Sequence, residues 1–311
     1  MAHGRAHVAA LGAADRARRA RPGAALGVPG ELRDRVRRAR PQGLTVLAYY
    51  SVAAPQEFWT DHWGRHSVEE LLAIARRSPL TGLITQALPD DGVILEAGCG
   101  LGQYVLLLRE RGWRVAGVDW SLEALAACRR AAPAPLALME LRGLAIADGA
   151  LSGYISLGVI EHDPDGPDAL LVEAHRVLAP GGVLVVSVPY VNGVRRLAAG
   201  WIRRRNREIA RRGGAFYQSA FSRAELAAAL DRCGFSVRAA HPYDPARILR
   251  QALRPLIPRG RRDASAAAGD ASPAGASRRR RPLITLAKRL LYTEPALRLL
   301  GHMLLVVARK T

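Results

Sequence analysis

Short apolar runs alternate with helical periods along the middle of the chain. Apolar residues spaced for one face of a helix occur near residues 102–111, 121–130 and 166–178. Strands that are apolar on both faces and separated by helices are typical of a parallel sheet covered on both sides. The runs that predict such strands are Val93–Ala97, Trp113–Val118, Leu136–Met139, Tyr154–Leu157 and Val183–Val188. The pattern therefore predicts an α/β fold with a doubly wound sheet.

Further elements are predicted on either side of these strands. Capping boxes at Ser67–Glu70 and Ser222–Glu225 each predict the start of a helix. Phe235–His241 predicts a sixth strand, and His302–Ala308 predicts a last one. The chain is predicted to begin with a disordered basic arm over 1–43, followed by a helical and aromatic cap segment over 44–90 and a core over 91–243. An insertion over 244–300 follows, with a disordered stretch at 258–282 and a basic amphipathic helix. The last strand of the core lies within 301–311.

The net charge of +19 is concentrated in the flanks of the chain. Residues 1–40 hold ten arginines and three acidic residues, and residues 190–300 hold twenty-four basic and seven acidic ones. Residues 41–189, by contrast, hold ten basic and seventeen acidic side chains. This distribution does not favour a nucleic-acid-binding surface over the whole molecule.

Three further features bear on where the protein works. The three cysteines are too few and too scattered for a disulfide framework or a zinc cluster. No apolar run reaches the ~18 residues that a membrane-spanning helix needs. The arginine-rich start lacks the apolar segment of a secretory signal. Together they predict a cytoplasmic protein.

The sharpest motif follows the first predicted strand. Glu96 is followed by Gly98, Cys99, Gly100 and Gly102, so glycines recur at every second position before a helix begins. Glycine is required where backbone must approach a ligand closely or adopt a positive φ. Dinucleotide-binding loops have the spacing G-x-G-x-x-G and place a pyrophosphate at the helix N-terminus. The spacing here differs, and a carboxylate in front of it suits a ligand with a cationic head, such as the ammonium and sulfonium of S-adenosylmethionine.

The next two predicted strands also end in acidic residues. Asp119 can accept hydrogen bonds from both hydroxyls of a ribose, and Trp120 offers an apolar face to an adenine ring. Glu140 is placed to accept from an adenine amino group, with the amide of Leu141 facing a ring nitrogen. Each signal is weak alone, but the series predicts a nucleoside site along one edge of the sheet.

These motifs resemble those of the class I S-adenosylmethionine-dependent methyltransferases, in the small-molecule group called type 11. The resemblance covers residues 90–240 and the last strand, and rests on Glu96–Gly102, Val118–Ser121, Ser156–His162, Glu173–Gly182 and Val183–Tyr190. It implies a Rossmann-like sheet of seven strands, mostly parallel, with an antiparallel last strand. It also implies that S-adenosyl-L-methionine is the cofactor, and no carboxylate cluster in the sequence suggests a metal site. Glu96 and the glycines would then line its methionyl end, Asp119 its ribose and Glu140 its adenine, with Leu157 beneath the sulfonium.

Methyl transfer is an in-line displacement, so alignment of the reactants is the main requirement. A general base is needed when the acceptor is still protonated at neutral pH, and His162 is the candidate because of its position after the fourth strand. An equally weighted alternative is that His162 only anchors neighbouring backbone. Side chains near strand ends are candidates for the acceptor pocket: Tyr190, Asn192, Tyr217 and Tyr243.

The acceptor class follows partly from what the sequence lacks. Leu157–Glu161 stands where enzymes that methylate the amino groups of nucleic-acid bases carry an N-P-P-Y-type motif. The expected reaction is therefore methyl transfer to a small-molecule, quinone-like, glycan or lipid acceptor, at oxygen or carbon.

Apolar residues at helical spacing in 283–291, beside Lys288 and Arg289, predict a basic amphipathic helix that contacts an anionic membrane surface peripherally. Solvated charge on a helix that only packs on the sheet is the competing interpretation. Two other functions stay open: an RNA-binding or RNA-modifying protein that uses the basic flanks, and a nicotinamide-dependent oxidoreductase.

Overall fold

The computed structural model describes residues 46–51, 66–247 and 289–311. Within these ranges nine strands form: β1 (Leu47–Ser51), β2 (Ile94–Ala97), β3 (Val115–Asp119), β4 (Leu136–Leu138), β5 (Leu151–Leu157), β6 (Leu178–Pro189), β7 (Ala215–Ala220), β8 (Phe235–Tyr243) and β9 (Met303–Lys310). The helices are α1 (Val68–Arg77), α2 (Pro79–Ala87), α3 (Gln103–Glu110), α4 (Leu122–Ala131), α5 (Asp168–Val177), α6 (Gly193–Leu197), α7 (Ala199–Arg211), α8 (Arg223–Arg232) and α9 (Glu294–Leu300), with a 3₁₀ turn at Ile160–His162.

Seven of the strands form one sheet in the order β4–β3–β2–β5–β6–β9–β8. The pairs from β4 to β6 are parallel, and β9 runs antiparallel to both β6 and β8. The chain order reverses between β2 and β5, and the carboxyl ends of parallel strands at such a switch point form a crevice for ligands. The predicted fold class, with seven strands and an antiparallel last strand, is confirmed.

Apolar side chains cover the sheet on both faces, as the two-sided strand pattern requires. One buried cluster includes Leu95, Val186 and Leu226, and the other includes Ile94, Val105 and Val185. Full burial of one such side chain stabilises the fold by roughly 1.5–3 kcal/mol. The sheet therefore holds its carboxyl-end loops on a rigid base.

Two strands begin earlier than the sequence predicts. β5 starts at Leu151 rather than Tyr154, and β6 starts at Leu178 rather than Val183. Leu151 pairs with Leu178 before a shift in register, so the Pro-Gly-Gly stretch at 180–182 lies within the strand rather than ahead of it. The predicted strand starts were wrong there because β5 and β6 are extended by backbone pairing with each other, which the apolar pattern of either strand alone does not show.

A two-stranded ribbon lies outside the main sheet. β1 pairs with β7 in antiparallel fashion, and the rings of Tyr50 and Phe216 meet edge to face with centroids 6.1 Å apart. The Tyr50 amide also donates to Asn206 Oδ1 at 3.1 Å, which ties the ribbon to α7. Neither strand has clean apolar–polar alternation, so the sequence analysis did not predict them.

The two predicted capping boxes differ in outcome. At the start of α8, Ser222 accepts from the Glu225 amide and Glu225 accepts from the Ser222 amide, as predicted. At the start of α1, Ser67 accepts from the Glu70 amide, but the Glu70 carboxylate lies 3.5 Å from His66 Nδ1 instead. The reciprocal half of that box was therefore predicted wrongly, because a neighbouring imidazole competes for the carboxylate.

Several predictions lie outside the described residues. They are the basic arm over 1–43, the disordered stretch at 258–282, and the part of the amphipathic helix that precedes Arg289. Across the part of the chain that the structure does describe, no helix combines the length and the apolar character that crossing a bilayer would require.

Candidate functional site

The loop after β2 is built on glycines in the left-handed region. Gly98, Gly100 and Gly102 have φ values of 75°, 53° and 72°. A Cβ on Gly98 would lie 2.5 Å from Cγ2 of Val159, in the loop after β5. The amides of Gly98 and Cys99 both donate to the Val118 carbonyl of β3, at 2.8 and 3.0 Å. The backbone of this loop is thus fixed against the two strands beside it.

Glu96, the last acid of β2, is buried with one oxygen that lacks a partner. Its side chain is 2% exposed, and the Val105 amide of α3 donates to its carboxylate. Its Oε2 atom makes no hydrogen bond. Burial raises the pKa of Glu96 to about 8, and the nearby charge of Asp119 adds to this effect. A cationic ligand next to this oxygen would supply the missing contact and favour the ionised form.

Asp119 ends β3 and faces the glycine loop. Its Oδ2 accepts from the Gly100 amide and its Oδ1 from the Ser121 amide, both at 2.8 Å. Burial raises the pKa of this carboxyl, while these amides lower it. Each carboxylate oxygen has a second lone pair, so the group can still accept from ligand hydroxyls. Trp120, next in the chain, is 46% exposed and presents an apolar surface beside the acid.

The loop after β4 carries the predicted adenine contacts. Glu140 is exposed, with Oε1 accepting from the Arg142 amide at 3.4 Å, and Leu141 is buried. This loop is anchored by α5, because Glu173 accepts from the Leu144 amide at 2.6 Å. Arg176 pairs with Glu173 and donates to the carbonyls of Leu144 and Ile146.

Cys99 and Leu157, which were also predicted to contact the cofactor, differ in how far their side chains are buried. Cys99 is buried in the core, and its Sγ lies where a Cβ on Gly117 of β3 would collide with it. Its side chain therefore packs against β3 in the core. Leu157 is half-buried at the end of β5, as expected from the strand pattern.

A cavity of about 610 Å³ lies near the ends of β5 and β6. It is bounded by the β1–β7 ribbon, by α6 and α7, and by the turn after β5. Its lining residues are Tyr49, Glu161, Pro189, Val194, Arg195, Trp201, Ile202, Tyr217, Gln218, Arg247, His302 and Met303. It shares the loop after β5 with the glycine motif, since Val159 contacts Gly98 while Glu161 lines the cavity. The cavity therefore lies beside the glycine loop, where it could hold a second ligand.

Glu161 is a further candidate functional residue, which lies within a predicted motif but had no predicted role. It is 2% exposed, and its Oε2 is buried without a hydrogen-bond partner. Burial raises its pKa to about 8. A carboxyl with that pKa holds a proton at neutral pH and can exchange it within one or two pH units, as a general base requires.

His162 lies next to Glu161, but one of its ring nitrogens is hydrogen-bonded to a backbone carbonyl. Its Nδ1 lies 2.7 Å from the Tyr217 carbonyl of β7, and its ring meets that of Tyr217 edge to face. Its Nε2 is 4.0 Å from Glu161 Oε1. Burial lowers the pKa of His162, so the imidazole is neutral at pH 7. The structure thus places it between the ribbon and the buried acid.

The four residues proposed for the acceptor pocket are dispersed. Tyr217 lines the cavity. Tyr190 packs in the core, and Asn192 caps α6 through the Arg195 amide while donating to the Gly301 carbonyl at 2.7 Å. The Tyr243 hydroxyl lies 3.0 Å from Ser187 Oγ, and Tyr243 lines a different cavity, beside α2. Of the four, the structure brings only Tyr217 to the chamber beside the glycine loop.

Within the described ranges, no group of three or more His, Cys, Asp or Glu side chains is arranged to hold a metal ion.

Comparison with protein families matches residues 95–186 to the family described as "Methyltransferase domain". The matched segment runs from β2 to β6 and contains the glycine loop, Asp119 and Glu161.

Curated relatives are similar over the same part of the chain. The malonyl-[acyl-carrier protein] O-methyltransferase of Serratia marcescens is 33% identical over 109 residues, which is 35% of this chain and 42% of that protein. A trans-aconitate 2-methyltransferase of Azoarcus sp. is 38% identical over 33% of this chain and 41% of its own length. An arsenite methyltransferase of Aquipseudomonas alcaligenes is 36% identical over 38% of each. The chain thus spans about two fifths of the length of the relatives it matches.

Solved structures share the fold at low sequence identity. The PH0226 protein of Pyrococcus horikoshii superposes with a TM-score of 0.52 at 15% identity, covering 82% of this chain and 99% of that one. A geranyl diphosphate C-methyltransferase of Streptomyces coelicolor gives 0.50 at 17% identity, covering 91% and 99%.

The residues present fit the cofactor of this family. Glu96 offers an unpaired buried oxygen to a cation, and a Cβ would fill the space that Gly98 leaves beside Val159. The strand order, the glycine loop and the family match agree, and residues 95–186 of this chain are similar to the methyltransferase domain of S-adenosylmethionine-dependent enzymes.

Proposed function

We propose that this protein transfers a methyl group from S-adenosyl-L-methionine to a small-molecule acceptor bound in the cavity beside β5. The observation that carries the proposal is that the loop after β5 contacts the glycine loop and also lines the cavity. Val159 contacts the glycine loop, and Glu161, two residues later, lines the cavity.

The cofactor-binding roles follow from the chemistry of each side chain. The carboxylate of Glu96 stabilises the cationic methionyl end, for which its unpaired Oε2 is available. Asp119 accepts from the ribose hydroxyls while it holds the Gly100 amide. Trp120 offers apolar contact to the adenine, Glu140 accepts from its amino group, and the Leu141 amide faces a ring nitrogen. When bound, the cofactor supplies an electrophilic methyl group on a sulfonium.

The acceptor is proposed as a small molecule methylated at oxygen or carbon. The relatives are named for malonyl-[acyl-carrier protein], trans-aconitate and arsenite, so similar domains serve unlike acceptors. Quinone-like, glycan and lipid acceptors all remain within the proposal.

Glu161 is the better candidate for a general base than His162. It lines the cavity with an unpaired oxygen, whereas His162 uses Nδ1 on the Tyr217 carbonyl. Because the pKa of Glu161 is raised to about 8, its base form increases as pH rises to that value. For a hydroxyl acceptor, kcat/KM should rise with pH and level off above about 8, and Glu161→Gln should remove this dependence. An unchanged profile in Glu161→Gln would assign the proton transfer to another group.

The function is tested in two steps. Calorimetry with S-adenosylhomocysteine measures cofactor binding by the full chain without knowledge of the acceptor. Metabolite profiling with isotopically labelled S-adenosylmethionine then compares the natural protein with Asp119→Ala and identifies the labelled product. Binding together with a label that depends on Asp119 supports the proposal. Absence of binding by folded protein contradicts it.

A peripheral contact with an anionic membrane is proposed for the surface formed by α6 and α7. Leu197 is 88% exposed and Trp201 is 63% exposed, and Arg204, Arg205 and Arg207 are exposed on the same helix as Trp201. Apolar side chains next to cationic ones favour the headgroup region of an anionic bilayer. Sedimentation with phosphatidylglycerol vesicles, compared with phosphatidylcholine vesicles, tests this contact.

The two alternative functions have unequal support. The RNA alternative rests mainly on basic segments outside the described residues, and it remains a prediction that the salt dependence of RNA binding would test. The oxidoreductase alternative lacks support in the glycine spacing, and a thermal shift with NAD but not with S-adenosylhomocysteine would restore it.

A further inference from the structure

One end of the cavity beside β5 is cationic. Arg195, at the start of α6, is buried, and Arg247 lies after β8. Burial lowers the pKa of His302 to about 3, and both arginine charges add to this effect, so its imidazole is neutral. Two arginines therefore share a chamber with a histidine that adds no charge.

Arg195 has donors left over after its contacts are counted. Its Nη1 donates to the carbonyls of Tyr190 and His302 at 2.6 and 3.0 Å, and its Nη2 lies 3.0 Å from His302 Nδ1. A guanidinium has five N–H groups. The Nε–H group and one Nη2–H group thus have no partner among the described residues.

No described carboxylate offsets this charge. Neither Arg195 nor Arg247 lies within 4 Å of an acidic side chain in the described ranges. Glu161, the acid in the cavity lining, forms no ion pair with either arginine within the described residues. A buried cation without a counter-charge is costly, which favours a ligand that supplies one.

We propose that the acceptor carries an anionic oxyacid group, a carboxylate or phosphate, which Arg195 and Arg247 bind at this end of the cavity. This inference rests on the proposed function and specifies its substrate class. Guanidinium groups match such anions because planar N–H pairs can donate to two oxygens at once. With the anion held there, the rest of the acceptor extends past Tyr217 toward Glu161 and the loop that contacts Gly98.

The Tyr49 ring forms part of the same end. The Arg195 guanidinium carbon lies 6.0 Å from its centroid, so the ring face supports the cation without neutralising it. Because Tyr49 belongs to β1, the ribbon is part of the anion site as well as a cover for the cavity.

The test uses ¹³C-labelled malonate and inorganic phosphate as probes, with the full chain saturated with S-adenosylhomocysteine. Ligand-observed NMR measures line broadening of malonate and its displacement by phosphate. Arg247→Gln is the main variant, because Arg247 is exposed and its replacement should leave the fold intact. Arg238→Gln, an exposed arginine of β8 away from the cavity lining, is the matched control. Arg195→Gln is added where its thermal unfolding matches that of the natural protein.

We expect malonate to bind the natural protein and the Arg238→Gln control equally, and to bind Arg247→Gln about tenfold more weakly. Phosphatidylglycerol vesicles that displace malonate would identify a lipid headgroup as the source of the anion, and failure to displace it would identify a free metabolite. Absence of malonate binding to the natural protein, or an equal loss of malonate affinity in Arg247→Gln and Arg238→Gln, overturns the proposed anion site. Calorimetry with S-adenosylhomocysteine on the same samples reports separately on the proposed function.

Discussion

At the scale of single residues, Asp119 holds the glycine loop in place and is the residue proposed to bind the ribose. Its two oxygens hold the Gly100 and Ser121 amides. Asp119→Ala should therefore weaken binding of S-adenosylhomocysteine by ~1–3 kcal/mol, the range for losing hydrogen bonds to a charged group. Calorimetry measures this loss, and Asp91→Ala, which removes an exposed acid before β2, is the control. Unchanged affinity in Asp119→Ala would contradict the ribose assignment.

The buried acids also make stability depend on pH. The pKa values of Glu96 and Glu161 are raised to about 8 from 4.5, so above pH 4.5 the unfolded chain releases protons that the folded protein keeps. Stability should then fall as pH rises from 4.5 to 8. The lowered pKa values of His175 and His302, about 4 and about 3, act in the opposite sense, but only below their unfolded value near 6.5. Between pH 6.5 and 8 the carboxyls therefore dominate.

Glu161→Gln should remove about 1–2 kcal/mol of the loss in unfolding free energy between pH 6.5 and 8, since one group contributes up to about 1.4 kcal/mol per pH unit. Urea unfolding at the two pH values measures the difference. Glu123→Gln, which changes an exposed acid of α4, should leave the natural slope in place. Equal slopes in natural protein and Glu161→Gln would mean that the Glu161 carboxyl is ionised in the fold.

Sequence reasoning located residues whose roles are local and missed those that depend on tertiary contacts. The glycines at 98, 100 and 102 have the positive φ values that their spacing predicts. Glu161, Arg195 and Arg247 come from three distant segments, and nothing in any one segment shows that they share a cavity. For the base, the sequence led only to His162, which is the direct neighbour of Glu161.

At the scale of elements, α5 fixes the loop after β4 through a buried ion pair. Arg176 bonds to both oxygens of Glu173, at 2.6 and 3.0 Å, and to two loop carbonyls. Arg176→Met would leave the Glu173 charge buried without its partner, at a cost of ~3–5 kcal/mol in unfolding free energy. Chemical denaturation measures the loss. Arg111→Met, at an exposed position after α3, should be near neutral, and a loss of less than 1 kcal/mol in Arg176→Met would show that water replaces the pair.

The elements themselves differ in how far sequence reveals them. Strands β2, β3 and β5 are buried on both faces, so their apolar runs stand out and were predicted within a few residues. The β1 and β7 strands are half-buried on a two-stranded ribbon, where packing rather than alternation selects the residues. That ribbon supplies Tyr49 and Tyr217 to the cavity, so the element that was not predicted is one that shapes the proposed acceptor site.

At the scale of the whole molecule, the cavity and the proposed membrane surface adjoin. Trp201 is both exposed and part of the cavity lining, and the Arg205 guanidinium lies 5.4 Å from its ring centroid. A bilayer in contact with α6 and α7 would therefore lie next to the cavity rather than against the opposite side of the sheet. This geometry would let an amphiphilic acceptor enter from the membrane.

Leu197 tests that orientation because it is exposed and is absent from the cavity lining. Leu197→Gln should lower partitioning onto phosphatidylglycerol vesicles about tenfold or more, since inserting a leucine contributes roughly 1.5–3 kcal/mol. Ile74→Gln, which changes a half-exposed apolar residue of α1, should leave partitioning unchanged because α1 packs on α3 and is not part of the α6–α7 surface. Vesicle sedimentation with and without added salt separates this apolar contribution from the arginine contribution, which salt screens. Equal partitioning of the two variants would show that the exposed leucine does not enter the bilayer and that α6 and α7 do not orient the protein on it.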